Sequence, residues 1–598
     1  MQQSPGLSIR QLRRERSITQ TQLGGDRYSK SYVSAVERGK IIPTTAALRL
    51  FAQQLGQPED KFVQLFQQSE DEQAALLVSG STISEDSTLL RHELTFLDSL
   101  LERSQLHDLS PQQEVLQPSP ALLAQLPSEK RARYCYLVGV LAQKQGDYNG
   151  AIEALETALA LAEEKYRRLI LDELGNCYSQ LRIYQSALVY HLRALQALNA
   201  NEEAQDLERI RFRVELHCGF DYLSLGAYDE ALDHLNRARN HLQIQQDMMS
   251  AGLLYWGLGY CTYMMAYQQT FFSSTTHSEY SLHVLDQQYQ RAISFLIQSK
   301  SIYQISGEVN EEVRLRLMLT MVILDSCNLR RKIALQRGDD MSNEVLRVNI
   351  NSLLEDAVEQ CKQVLIGLRE NASLNLSAVD VEKAKPLWIA LAYLIRVLLQ
   401  RAALARRGGG QDTAIRERSV ATYLCTQMMS ALKENRLPLP LILSAGNVAD
   451  NPQAYQYNSL PTFPTVDGLS KSAWNAPEIL SEVCLSAGEV NEEFGRAAET
   501  ADYAEYCYIR ADSYFQASLE YAQKYAEEIS LNLSLQGEVQ GYLFRAYQHY
   551  ISLLEERMQV EEHAQAFPWL DVLKRSLREL QTHFSFVQKE AAYHARSV

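Results

Sequence analysis

The 598-residue sequence has little of what marks extracellular, membrane or catalytic chains. It holds 15 prolines and 27 glycines, too few for a collagen-like or low-complexity protein. Its nine cysteines (Cys135, Cys177, Cys218, Cys261, Cys327, Cys361, Cys425, Cys484 and Cys507) form no CxxC pair. Most fall in apolar helical stretches, so they read as small buried side chains in a reducing compartment. The twelve histidines include no HExxH, and neither GxSxG nor a metal-spaced Cys/His set occurs, so the reading is non-enzymatic with no cofactor. Gly408-Gly409-Gly410 has no following Gly-Lys-Ser/Thr and is no phosphate-binding loop. Acid pairs such as Glu202-Glu203 and Glu561-Glu562 read as solvated helix faces. Met1 to Arg16 is polar and basic, without the apolar stretch of a signal peptide. The longest apolar run, Leu387–Leu399, is interrupted by Arg396 and is too short to span a bilayer. The expectation is a cytoplasmic protein with no membrane partner.

What is present is ordinary globular material, 46% apolar and 22% charged, with an uneven charge. The chain carries −15 overall. Residues 1–66 hold ten Lys/Arg and five acids, a net of +5, which leaves −20 for the other 532 residues. A basic head on an acidic body points to a polyanion partner for the head alone.

Within that head the pattern predicts four or five short helices. Ile9, Leu12 and Arg16 mark the first, closed by Ser17-Ile18. Thr19 stands three residues before Gln22, the spacing of a capping box, and opens a short helix from Gln20 to Leu23 that Gly24-Gly25 ends. Ser29 caps a third helix, Lys30 to Arg38, with Tyr32, Val33 and Val36 as its apolar stripe and Gly39 as its stop. A fourth follows Pro43 from Thr44, with Leu48, Phe51 and Leu55 inward and Gly56 at its end. A fifth after Pro58 would bury Phe62, Leu65 and Phe66.

Ile18-Thr19-Gln20, Leu23, Tyr32-Val33-Ser34, Val36-Glu37-Arg38-Gly39-Lys40 and Pro43 resemble the Cro/phage-repressor (XRE) helix-turn-helix family over residues 8–66. The stretch from Leu23 to Lys30 is one residue shorter than in the phage repressors. The resemblance implies that the third helix enters the major groove of double-stranded DNA. Lys30, Ser31, Ser34 and Ala35 would face base edges, with Lys30 donating to guanine O6 and N7. Gln20, Lys40, Thr44 and Arg10 would hold phosphates, and Arg13 and Glu37 would form the family's internal ion pair.

Residues 67–128 read as an acidic, proline-containing linker with one amphipathic helix near Thr88–Ser104. From 129 to 598 the chain repeats itself. Gly139, Gly146, Tyr148, Ala151, Leu155 and Ala158 align with Gly175, Tyr178, Tyr184, Ala187, His191 and Ala194. Both align with Gly219, Tyr222, Gly226, Tyr228, Ala231, Leu235 and Ala238. Small residues at fixed offsets let two helices approach closely, while Tyr and Leu fill the space between hairpins. These segments resemble tetratricopeptide (TPR) repeats. Gly259 and Ala292 mark a further unit, and Ala357 with Cys361, then Ala421 with Cys425, mark second helices of later ones. The expected fold is all-α: a small helix-turn-helix domain, then a TPR-like α-solenoid of about seven to nine helix pairs. Insertions are expected near 263–288, 406–413 and 435–477.

First helices line the inner surface in this repeat class. The inward positions would be Tyr136, Val140 and Gln143, then Asp172, Asn176 and Gln180, then Arg213, Phe220 and Leu223, and finally Trp256, Tyr260 and Tyr263. Asn176 would clamp a peptide backbone, and the aromatics would bury an apolar end. A helix-turn-helix head on a TPR body resembles bacterial peptide-sensing regulators. That resemblance implies a homodimeric transcriptional regulator in the bacterial cytoplasm, bound to DNA at the nucleoid, with a peptide or protein ligand in the repeats. Two alternatives stay open: an interaction scaffold whose head docks another protein, and a DNA-binding regulator with no ligand sensing.

Overall fold

A computed structural model describes residues 5–16, 18–25, 30–37, 45–56, 127–198, 205–242, 248–272, 279–336, 344–370, 381–436 and 476–530, with scattered positions between 463 and 582. The described residues are all-α. They divide into two compact units, residues 1–181 with 189–199, and residues 182–188 with 200–598.

The first unit opens with α1 (Pro5–Glu15), α2 (Gln20–Gly24), α3 (Lys30–Glu37) and α4 (Thr45–Gln54). Helix α3 packs on α1 and α2, and α4 packs on α2. Their shared core is Ile9, Leu23, Val33, Val36, Leu48, Phe51 and Leu55, with Leu12 and Ile18 against its edge. The apolar spacing read from sequence therefore marks the buried faces. Gly25 and Gly56 both take positive φ (58° and 55°), as the stops of α2 and α4 require. The fifth short helix, Gly39 and the linker helix at 88–104 lie outside the described residues.

A repeating helix-pair solenoid follows. The first unit contributes α5 (Ser128–Lys144) with α6 (Tyr148–Leu161), and α7 (Glu164–Gln180) with the part of α8 (Tyr184–Gln196) from Val189 on. The second begins with α9 (Gln205–Ser224) and α10 (Tyr228–Asn240), then α11 (Met248–Phe272) and α12 (Glu279–Ser306). It continues with α13 (Val309–Gln336) and α14 (Glu344–Glu370), α15 (Val381–Arg407) and α16 (Gln411–Lys433), and α17 (Pro477–Arg496) and α18 (Ala501–Ser530).

The glycine seam sets these pairs. An added Cβ at Gly139 would lie 2.6 Å from Leu155 Cγ, one at Gly219 would lie 2.7 Å from Leu235 Cγ, and one at Gly259 would lie 2.8 Å from Leu296 Cγ. Ala151, Ala158, Ala231, Ala238 and Ala292 are fully buried beside them. In the α7/α8 pair His191 takes the leucine's place, lying against Gly175 and 3.7 Å from the buried Asp172. Asp172 is thus a core residue, which corrects its expected place on an open inner surface. Seven residues after the seam glycine the first three hairpins turn through positive φ, at Gly146 (80°), Arg182 (63°) and Gly226 (75°). Arginine holds that conformation at a steric cost glycine avoids.

The expected insertions take the following form. Residues 263–272 and 279–288 are helical, so the fourth pair carries extra length within α11 and α12, and residues 273–278 lie outside the described residues. The Gly408–Gly410 segment is a tight turn between α15 and α16, with Gly409 at φ 80°. Helix α15 is also longer than the apolar run suggested: Ala384–Arg407 is 24 residues, and its most apolar 18-residue window has a mean hydropathy of 1.6, long and apolar enough to cross a membrane. Its most apolar stretch is 89% buried within the protein, the place of a core helix. Much of the 435–477 excursion lies outside the described residues, but Phe463 and Trp474 are buried in the second unit's core.

Candidate DNA-binding head and repeat surface

Local chemistry fixes the head's turn. Thr19 Oγ1 accepts from the backbone N–H of Gln22 at 3.2 Å, while Gln22 Oε1 accepts from the N–H of Thr19 at 2.9 Å. Two otherwise unpaired donors at the start of α2 are satisfied reciprocally. Long-range order rests on one carboxylate. Glu37, 1% exposed at the end of α3, accepts from Arg13 Nε, from Arg13 Nη2 at 3.0 Å and from Gln20 Nε2 at 2.9 Å. Arg13 Nη1 also donates to the carbonyl of Ile18 at 2.9 Å. Glu37 therefore ties α1, the turn and α2 to α3. Burial alone would raise its pKa, but the hydrogen bonds from Arg13 and Gln20, with the charges of Arg13 and Arg10, hold it below the usual carboxylate range.

Two of the expected DNA contacts, Arg10 and Gln20, lie near this tie. Arg10 and Gln20 are half-buried, and Gln20 is drawn onto Glu37, a bond the sequence gave no sign of. Ser34 is half-buried on α3. By helical register, positions 31 and 35 fall opposite the buried positions 33, 36 and 37. Lys30, Ser31 and Ala35 belong to α3, with side chains outside the described residues, and Lys40 and Thr44 lie outside them altogether.

In the first unit's repeats a small, shallow cleft lies between α5 and α7. Tyr136 lines it with Arg133 and Tyr166. The Arg133 guanidinium sits 4.9 Å from the Tyr166 ring centroid and donates to Glu129 at 2.5 Å. Gln143 and Asn176 are half-buried and Gln180 is exposed, and Asn176 Nδ2 donates to Glu173 at 3.1 Å.

The aromatic residues expected farther along gather in the second unit. Phe220 stacks on Trp256 at 5.6 Å and 8°, and Trp256 on Tyr260 at 5.6 Å and 11°, with all three half-buried. Tyr263 continues the row but is 1% exposed; its hydroxyl donates to Asp325 on α13 at 2.7 Å. Arg213 is half-buried on α9.

Sequence reasoning missed a ladder of ion pairs between α15 and α17. Lys385 binds Glu478 at 2.5 Å, Arg396 binds Glu482 and Glu489 at 3.2 Å each, and Arg406 binds Glu493 at 2.5 Å. A signal was there: positions 478, 482, 489 and 493 are spaced 4, 7 and 4 apart, one stripe of a helix.

Residues 6–65 match a family model described as a helix-turn-helix domain. No curated relative matches the chain. Bacillus thuringiensis PlcR, solved in complex with the peptide PapR7 and DNA, is 17% identical, covering 51% of this chain and 99% of its own, with a TM-score of 0.22. A Rap protein complexed with competence and sporulation factor is 15% identical, covering 62% of this chain and 94% of its own, with a TM-score of 0.29. The Streptococcus dysgalactiae SHP pheromone receptor Rgg2 is 13% identical, covering 53% and 98%, with a TM-score of 0.23. At such values nothing about function follows from the likeness.

Proposed function

We propose that this chain is a sequence-specific DNA-binding transcriptional regulator whose helix-pair repeats dimerise and sense a peptide or protein partner. The observation that carries the reading is the head itself. A helix-turn-helix match over residues 6–65 coincides with a capped α2 and an α3 held to it through Glu37. Its +5 charge on a −20 body gives that head the electrostatics for phosphate binding.

In this reading α3 lies in the major groove, and Lys30, Ser31, Ser34 and Ala35 meet base edges. Arg10, Gln20, Lys40 and Thr44 hold the phosphates. The Gln20 amide nitrogen has two hydrogens, so one directed to Glu37 leaves the other for a phosphate oxygen. Glu37 would then aim the amide before DNA arrives. Each unit is taken with its own candidate ligand surface: Tyr136, Gln143, Asn176 and Gln180 in the first, and Arg213, Phe220, Trp256 and Tyr260, with the buried Tyr263 continuing their row, in the second. A ligand regulates DNA binding only if its affinity differs between the DNA-competent shape and the alternative.

Titrations of the preferred duplex with Lys30→Ala and Gln20→Ala variants test the reading. Lys30→Ala should relax selectivity at one base position, costing about 1–3 kcal/mol against the preferred base. Gln20→Ala should weaken all duplexes alike. Equal affinity of both variants and the parent for every duplex would refute it.

A further inference from the structure

Helices α15 to α18 pack together in the second unit, with the end of α15 beside the end of α17. There Arg406 takes both oxygens of Glu493: Nη1 donates to Oε1 at 2.5 Å and Nη2 to Oε2 at 3.1 Å. Glu493 is 4% exposed, so this fork sits in a nearly dry place. A second guanidinium faces the same carboxylate. Arg418, two turns into α16, is half-buried with its Cζ 4.8 Å from the ring centroid of Phe494, the residue next to Glu493.

Glu493 has both oxygens engaged by Arg406, and among the described residues no carboxylate pairs with Arg418. The Arg418 Nε is buried without an acceptor. The charges that act on this guanidinium are those of Glu493, Arg406 and the Tyr503 phenol on α18. Burial lowers its pKa from the ordinary value; Glu493 opposes that shift and Arg406 adds to it. Two guanidinia thus share one carboxylate, a net of +1 within an acidic body. The neighbouring part of α18 is similar in kind. Tyr503 and Tyr506 stack at 6.5 Å and 21°. Arg510 falls seven residues beyond Tyr503, on the same helix face and about 10 Å along it. Its guanidinium lies 5.6 Å from the Tyr506 ring centroid and donates to the Tyr506 hydroxyl at 3.0 Å, with no carboxylate partner among the described residues.

We propose that Arg418, backed by Arg406 and Phe494, anchors a binding site for an oxyanion, the carboxylate or phosphate group of a small anionic effector. A guanidinium laid against an aromatic ring keeps its edge free, and that edge matches two oxygens of a carboxylate or phosphate in parallel bonds. Such an anion supplies the acceptors that Arg418 lacks and balances the net +1. Arg510 adds a weaker, longer-range attraction along α18. The residues belong to α15–α18, whereas the aromatic row belongs to α9 and α11, so the inference goes beyond peptide sensing and is tested apart from it.

Inorganic phosphate and succinate are each titrated into the full-length protein, at an ionic strength held constant with sodium chloride. Calorimetry reads binding, and the apparent unfolding midpoint reads stabilisation. Parent, Arg418→Met and Arg510→Gln proteins are compared. Methionine keeps an unbranched stem against Phe494 while removing the charge. Losing a partly buried cation that has no carboxylate partner should leave the ligand-free midpoint unchanged or raise it. The parent should bind at least one of the two anions saturably, with a dissociation constant of about 1 mM, and Arg418→Met should weaken that binding about tenfold or more. Arg510→Gln should weaken it about twofold to threefold, since a charge that distant is largely screened. Binding of phosphate alone names a phosphorylated effector, and binding of succinate alone names a carboxylate one; binding of both supports the shared oxyanion site. No saturable binding of either anion by the parent up to about 10 mM would overturn the proposal. Binding that Arg418→Met leaves unchanged would overturn it too, and a lower ligand-free midpoint in that case would make Arg418 a packing residue.

Discussion

One close approach in the repeats, at Gly219, is easily perturbed. At Gly219 an added methyl would sit 2.7 Å from both Cγ and Cδ2 of Leu235, and 3.5 Å from the carbonyl oxygen of Ala231. Carbon atoms prefer about 3.5–4.0 Å, so α9 and α10 would have to separate by roughly 1 Å. Leu235 is fully buried and cannot swing away. Overpacking of this kind costs about 1–3 kcal/mol, while replacing a helical glycine by alanine returns about 1 kcal/mol. Gly219→Ala should therefore destabilise the α9/α10 pair by about 1 kcal/mol, with 2 as the upper end. Gly367 provides the control, because it lies within α14 with nothing inside 4 Å of an added Cβ. Gly367→Ala should stabilise by up to about 1 kcal/mol. A repeat array opens locally, so the assay is hydrogen exchange followed segment by segment. Gly219→Ala should speed exchange in residues 205–240 about fivefold to thirtyfold, whereas Gly367→Ala should slow it in α14. Adding Leu235→Ala to Gly219→Ala should cost less than the two single changes summed. Unchanged or slower exchange in α9 and α10 of Gly219→Ala would refute the seam as the basis of the hairpin.

Two further perturbations follow. The folded pKa of Glu37 is lowered, so its contribution is complete above the ordinary carboxylate range and is lost as pH falls through the lowered value. Head stability should thus decline below about pH 4.5, and Glu37→Gln should flatten that decline at the cost of lower stability near neutrality; proteolysis of the head across pH reads both. Arg182 holds φ 63° where the neighbouring hairpins place glycine. Arg182→Gly should stabilise its turn by about 1 kcal/mol, seen as slower exchange across α7 and α8; faster exchange there would contradict the strain.

The head was legible because its signals are local. Thr19 and Gln22 stand one turn apart, Gly25 and Gly56 follow the helices they stop, and Val33 and Val36 share a helix face. The repeats were legible because Gly139, Gly175, Gly219 and Gly259 recur with their alanines, and that seam is what two close helices demand of sequence. Partnerships across long separations were not legible. Gln20 meets Glu37 seventeen residues on, and Lys385 meets Glu478 ninety-three residues on, with no pattern in either segment naming the other. Arg396 showed the same limit in another form. Within its own segment it interrupts an apolar run, whereas two α17 carboxylates make it part of a buried interface. The insertion expected from residue 263 begins inside α11, whose helix runs on to Phe272.

The most direct measurement of the central claim is selection of random duplex DNA by the full-length protein, followed by a salt series on the enriched site. The account predicts an enriched two-fold symmetric sequence, with half-sites one helical turn or a multiple apart and affinity falling steeply as salt rises. Binding without sequence enrichment, or no binding with and without ligand, would contradict it.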